Sequence, residues 1–265
     1  MLPIKFYKYQ GTGNDFVLID QRTDMHLTRQ DTQYIAKLCH RRFGIGADGL
    51  ILLQNHSDYD FEMIYFNADG RESTMCGNGG RCMVAFAKAL GIIEQAAYFL
   101  AIDGPHRARI RPDNGWVELQ MMDVPQIETN ADFYYLNTGS PHYVRFVNNL
   151  PTLDVVQQGR TIRYNERFRQ EGTNVNFVQI EADQHLSVAT YERGVEDETL
   201  SCGTGVTAAA LAYALAHPEQ ASRNLRIDTK GGQLEVRFEP ADSGFRNIWL
   251  CGPAEQVFQG EIICN

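Results

Sequence analysis

The sequence has no apolar run near the roughly 18 residues that a membrane-spanning helix needs. Its opening segment, MLPIKFYKYQ, lacks the long apolar stretch and small-residue cleavage site of a secretory signal. Basic charge is also scarce. Lys and Arg number 24 against 33 Asp and Glu, a net charge of −9, and the densest basic cluster, His40-Arg41-Arg42, is too short to track a phosphate backbone. Neither a nucleic-acid nor a membrane partner is expected, and the expected location is the cytoplasm. Cysteines number six in 265 residues (Cys39, Cys76, Cys82, Cys202, Cys251, Cys264), with no CxxC pair, which excludes a small disulfide scaffold and gives a structural zinc no support. No GxxxxGK(S/T) phosphate loop and no GxSxG hydrolase elbow occurs. Gly44-Ile-Gly46-Ala-Asp-Gly49 formally matches GxGxxG, but it precedes an apolar strand instead of following one, so dinucleotide binding is not expected.

What is present is an ordinary globular composition, 43% hydrophobic and 22% charged, in a chain long enough to bury a core without staples. Short apolar runs bounded by Gly, Asn and Asp dominate: FVLID, GLILLQ, FEMIYF, WVELQM, HYVRFV, NFVQIE, LSVATY, LEVRF and NIWLCG. These read as strands. Only Thr28 to Arg41, Arg81 to Leu90 and the Ala-rich Thr207 to Ala216 read well as helices. The expected class is α+β.

A weak internal repeat divides the chain. Cys76-Gly-Asn-Gly followed by RCMVAFAKAL matches Cys202-Gly-Thr-Gly followed by VTAAALAYAL, and a Glu stands four residues before each Cys. Upstream, GTGNDFVLID resembles GTNVNFVQIE, a pairing that predicts an insertion in the first half, including the helix near residues 28 to 41. The expected halves are 1–121, joined by the returning tail 254–265, and 122–253. Cys-Gly-x-Gly at a helix start is chemically pointed. The unpaired N–H groups and positive end of the helix favour an anion, which lowers a thiol's pKa or binds a carboxylate, and glycine lets a ligand approach the backbone. A matched pair suggests one substrate held by two helix starts with a thiol on either face of its carbon. One thiolate would remove the α-proton and the opposite thiol would supply another.

GTGNDF (11–16), FNADG (66–70), CGNGGR (76–81), SPH (140–142), TNVNF (173–177), YERG (191–194), CGTG (202–205) and the tail GPAEQVFQG together resemble the diaminopimelate epimerases, a pyridoxal-phosphate-independent racemase family. The resemblance implies two pseudo-symmetric halves, each a strand-rich barrel around a central helix. It implies interconversion of LL- and meso-diaminopimelate for lysine and peptidoglycan precursors, with no cofactor, no metal and a homodimeric assembly touching near Phe258. Carried over by position, Cys76 and Cys202 are the acid/base pair, tuned by His142 and Glu192. Gly77, Asn78, Gly203 and Thr204 present donors to the reacting carboxylate, and Asn14, Asn67, Asn174, Glu192 and Arg193 contact substrate. Arg193 is expected to be a buried guanidinium forking the distal carboxylate. Two departures are visible: Ser140-Pro141-His142 where many members have Asn-Pro-His, and Gly49 where a Gln is usual nearby. The alternatives are a same-fold racemase of another amino acid, and a non-catalytic thiol-redox or amino-acid-binding module with a Cys76–Cys202 disulfide.

Overall fold

The computed structural model describes residues 3–219 and 223–263. The chain divides into two compact units, Met1–Leu119 with Pro253–Asn265, and Gln120–Gly252.

The first unit runs β1 (Ile4–Gly11), β2 (Asn14–Asp20), α1 (Thr32–Cys39), β3 (Gly49–Gln54), β4 (Glu62–Asn67), α2 (Gly77–Ala89), β5 (Ala96–Ala101), β6 (Gly104–Ile110) and β7 (Val117–Gln120). Strands β2 and β3 are parallel, as are β4 and β5, and the pairs β1/β2, β3/β4, β5/β6 and β6/β7 are antiparallel. The second unit runs β8 (Glu128–Thr129), β9 (Tyr134–Asn137), β10 (Pro141–Phe146), α3 (Val155–Arg163), β11 (Asn174–Ala182), β12 (His185–Glu192), β13 (Asp197–Thr199), α4 (Gly203–Ala216), β14 (Asn224–Thr229), β15 (Gly232–Pro240) and β16 (Phe245–Gly252). Here β10/β11 and β12/β14 are parallel, and β9/β10, β11/β12, β14/β15 and β15/β16 antiparallel. The final strand β17 (Glu255–Ile262) returns to pair antiparallel with β1.

Each unit is therefore strands around one buried helix. Both α2 and α4 bury residues on every side, as a helix enclosed by sheet must. The shorter helices cover the outer faces of the strands. Ile35 and Leu38 of α1 pack with Val17, Ile19, Leu50, Leu52 and Ile64, and Val155 of α3 packs with Tyr143, Val175, Phe177 and Tyr191. Strands covered on both faces read as unbroken apolar runs, which is why FVLID and GLILLQ do not alternate.

Three sequence expectations are corrected. The matching order of strand directions makes β2, β3 and β4 the counterparts of β10, β11 and β12, with α1 answering to α3. GTGNDFVLID (β2) therefore corresponds to SPHYVRF, not to GTNVNFVQIE, and the helix after it is not an insertion. The helix α3 itself was not expected, because Gly159 sits in its middle. A Cβ there would lie 2.4 Å from the Cβ of Tyr191, so the glycine is what lets the helix lie on β12. Helix α1 starts at Thr32 instead of Thr28, because the Asp31 carboxylate accepts from both the N–H and the hydroxyl of Thr28 and closes a turn there.

Candidate active site

Cys76 is the N-cap of α2 and Cys202 the N-cap of α4, both with extended backbone and neither side chain capping its helix. The first turns begin Gly77-Asn78-Gly79 and Gly203-Thr204-Gly205, so their N–H donors are bordered by residues with little or no side chain in the way. Cys76 is half-buried and Cys202 is buried. The other described thiols are of a different kind. Burial pushes Cys39 and Cys82 up to about 12, and Cys251 is fully enclosed. Cys264 lies outside the described residues. The glutamates before each Cys have matching tasks: Glu72 pairs with Arg29 at 2.9 Å and Glu198 with Lys230 at 2.6 Å.

In the first unit a chain of amides runs past the thiol. The Asp48 carboxylate accepts from Asn14 Nδ2 at 2.7 Å, which turns Asn14 Oδ1 toward Asn78 Nδ2 at 3.3 Å and toward the Cys76 thiol at 3.6 Å. Asn78 Oδ1 in turn accepts from the fully buried Arg81 at 2.9 Å. Because a carboxylate only accepts and a guanidinium only donates, the two charges fix which way both amides face. Asp48 is held in place by Arg41, which also forks Asp15. Asp15 pairs with the buried Lys8 as well, and these cations outweigh its burial to hold its carboxyl far below the usual range. Asn67, the last residue of β4, is exposed and stands opposite Gly49.

In the second unit Asn174 is buried, donates to Ser140 Oγ at 2.9 Å and accepts from the Arg193 backbone N–H at 2.9 Å. Arg193 reaches Ser140 Oγ at 3.4 Å and the Glu171 carbonyl at 2.9 Å. Its side chain is exposed, so the expectation of a buried guanidinium is corrected. Glu192 ends β12, half-buried. Thr204 Oγ1 stands 3.4 Å from Cys202 Sγ, and its carbonyl accepts from Thr138. His142 is fully buried, and burial pushes it down to about 3, with the Arg193 cation acting in the same direction.

Both departures acquire a physical account. Ser140 is the hydroxyl that ties Asn174 to Arg193. At Gly49 a Cβ would stand 2.5 Å from the Tyr65 ring and 2.6 Å from the Phe66 carbonyl oxygen, so Tyr65 occupies the space that a side chain would need. Asp48, Arg81, Asn176 and Thr190 were not singled out in the sequence. The one signal for Asn176 was a polar residue two positions from Asn174 inside the apolar run NVNFVQI.

The diaminopimelate epimerase family model matches residues 6–127 and 134–257. The chain is 53% identical to the diaminopimelate epimerase of Flavobacterium psychrophilum, over 98% of this chain and 100% of that one. It belongs to the diaminopimelate epimerase family. A second member, from Chlorobaculum tepidum, is 42% identical over 95% of this chain and 98% of its own. Among solved structures the chain resembles a Bacillus anthracis phenazine biosynthesis protein of the PhzF family (TM-score 0.77, 16% identity, all of both chains). It also resembles a hydroxyproline epimerase from Agrobacterium vitis (TM-score 0.72, 14% identity, 98% and 92%). At those identities the likeness is one of fold, and it agrees with the expected α+β class of two barrel-like halves. No described helix is long and apolar enough to cross a membrane, and no cluster of three metal-ligating side chains occurs among the described residues.

Proposed function

We propose that this chain interconverts LL- and meso-diaminopimelate, in lysine biosynthesis, by proton transfer at one α-carbon between two thiols. The observation that carries the reading is the matched pair of N-cap cysteines, each opening a buried glycine-rich helix, in a chain 53% identical to a diaminopimelate epimerase. One thiolate takes the α-proton, the Cα–H bond's electron pair passes into the carboxylate as an enediolate, and the opposite thiol returns a proton to the other face. The proton is weakly acidic, so the enediolate needs donors already in place. The backbone N–H groups of Gly77, Asn78, Gly203 and Thr204 serve there, where oriented dipoles need no reorganisation as charge develops.

Asn14, Asn67, Asn174, Glu192 and Arg193 bind the substrate, Glu192 and the asparagine carbonyls accepting from ammonium and Arg193 meeting the distal carboxylate. Because Arg193 is exposed, an unpaired guanidinium is hydrated, and discrimination against lysine is smaller than a buried charge would give. His142 and Glu192 tune the thiols. The reaction needs no cofactor and takes place in the cytoplasm. A second copy of this chain is the partner that β17 fits: Val257 and Phe258 are 58% and 46% exposed, and Phe258 meets Phe6 edge-on. Sedimentation at micromolar concentration checks that assembly.

Incubating the protein with a panel of amino acids in D2O tests the activity. Deuterium at the α-carbon of diaminopimelate, ahead of lysine, is the expected result. Equal exchange into a mono-carboxylate assigns the chain to another substrate, and no exchange at all leaves a binding or redox module.

A further inference from the structure

Beneath the first turn of α4 lies a buried polar set whose counterpart in the first unit is apolar. An added Cβ on Gly205 would meet Asn176 Oδ1 at 2.3 Å and Thr190 Oγ1 at 3.2 Å, so this amide lies flush against the helix that Cys202 opens. Asn176 is fully buried. Its nitrogen stands 3.0 Å from the Tyr143 carbonyl oxygen and 3.0 Å from His142 Nδ1, and its oxygen accepts from the Thr190 hydroxyl at 2.9 Å.

The orientation of that amide follows from chemistry. A carbonyl oxygen only accepts, so the edge of Asn176 facing Tyr143 carries the NH2 group, and the edge facing Thr190 carries the oxygen. The same NH2 faces His142 and has no lone pair to offer, so His142 Nδ1 is the acceptor. A neutral imidazole whose Nδ1 accepts carries its one proton on Nε2. We propose that Asn176 is a positioning residue that fixes His142 as the neutral Nε2–H tautomer, so that His142 serves the reaction as a hydrogen-bond donor and not as a proton acceptor.

The ring's own setting agrees. Nε2 is buried and has no hydrogen-bond partner among the described residues, which suits a donor kept for an anionic acceptor such as a thiolate or a carboxylate. Donation to a thiolate stabilises it without taking its proton, so His142 favours the charged form of its acceptor while staying neutral itself. Thr190 donates to the oxygen on the far side of the amide, and the Tyr143 carbonyl, which can only accept, is what prevents the amide from turning over. The role in epimerisation rests on the two-thiol reading above. The tautomer does not.

Nitrogen-15 NMR of the substrate-free protein, labelled in its seven histidines and assigned by comparison with His142→Gln, reads the tautomer directly. The expected His142 signals are an unprotonated Nδ1 and a protonated Nε2 that stay unchanged across about pH 5 to 8. A His142 protonated on Nδ1 in the wild-type protein overturns the proposal, whatever the activity. Asn176→Asp replaces the donor with an acceptor and should move the proton to Nδ1, lowering kcat by about two orders of magnitude with little change in KM. Thr190→Val should keep the tautomer and lose less. Full activity in a folded Asn176→Asp protein with Nδ1 protonated would also overturn it. An Nε2–H tautomer in a protein that exchanges no α-proton would leave the tautomer assignment standing and remove the epimerase reading instead.

Discussion

The two units share one order of strands and differ in what fills the layer under their central helices. Under α2, a Cβ on Gly79 would meet Ile51 and Phe16, and the Phe16 ring meets Tyr65 edge-on at 6.0 Å. Under α4 the corresponding positions of the paired strands are His142, Asn176 and Thr190, joined by hydrogen bonds. On the other side of the comparison, the first unit anchors its amides with the charges of Asp48 and Arg81, whereas Asn174 in the second is held by a hydroxyl and backbone. Two halves with the same topology thus each set a helix-opening thiol in a different chemistry. The proposed inversion, with an acid on one face and a base on the other, would be served by such inequality.

The largest expected effect treats the thiols as a pair. Cys76→Ala and Cys202→Ala should each lower epimerisation by about 1,000-fold or more, because each removes one of two proton carriers, while Cys39→Ala keeps kcat. An assay in which one of the two catalytic variants retains most of its rate would break the equivalence at its root.

Next comes pH, since only the second unit buries a histidine in this layer. The folded pKa of His142, about 3, lies below its ordinary value of 6.5. The unfolded chain therefore takes up a proton that the folded one refuses. Above about pH 6.5 the ring has no influence, and stability falls as pH drops from there toward about 3, by roughly 2–3 kcal/mol at pH 4.5. Denaturant midpoints of wild type and His142→Gln should converge over that window, and parallel curves would show that the ring does not titrate as a buried neutral group.

Gly205→Ala and Gly79→Ala sharpen the same contrast through stability. The first puts a methyl 2.3 Å from a fixed amide oxygen and should cost about 1–3 kcal/mol. The second meets the end of Ile51 at 3.1 Å, which gives way, and gains helix propensity, so its change should stay within about 1 kcal/mol. Equal losses at the two sites would remove the distinction drawn between the layers. The smallest effect on rate is that of Asp48→Asn, which leaves Asn14 free to turn over and should lower kcat by about tenfold without unfolding the protein.

The sequence made the cysteine pair legible because its signal is local: a Cys, two glycines and a helix. The likeness of GTGNDFVLID to GTNVNFVQIE misleads because it lies at the strand ends, and strand direction is invisible until the sheet is formed. Helix α3 was hidden by Gly159, a helix-weakening residue whose reason is Tyr191, far away in the chain. Asp48 and Asn176 act by orienting other amides, and an orientation depends on partners from several strands. Ser140 and Gly49 looked like losses for a related reason, since Arg193 and Tyr65 supply what a motif cannot display.

In the proposed mechanism two different thiols handle one α-carbon. Epimerisation of LL-diaminopimelate followed by NMR in D2O at low conversion tests it most directly. Two thiols predict that meso product carries deuterium at the inverted carbon while the remaining LL substrate keeps its proton. Deuterium entering the remaining substrate as fast as it enters product would mean that one group both removes and returns the proton, and would contradict the account.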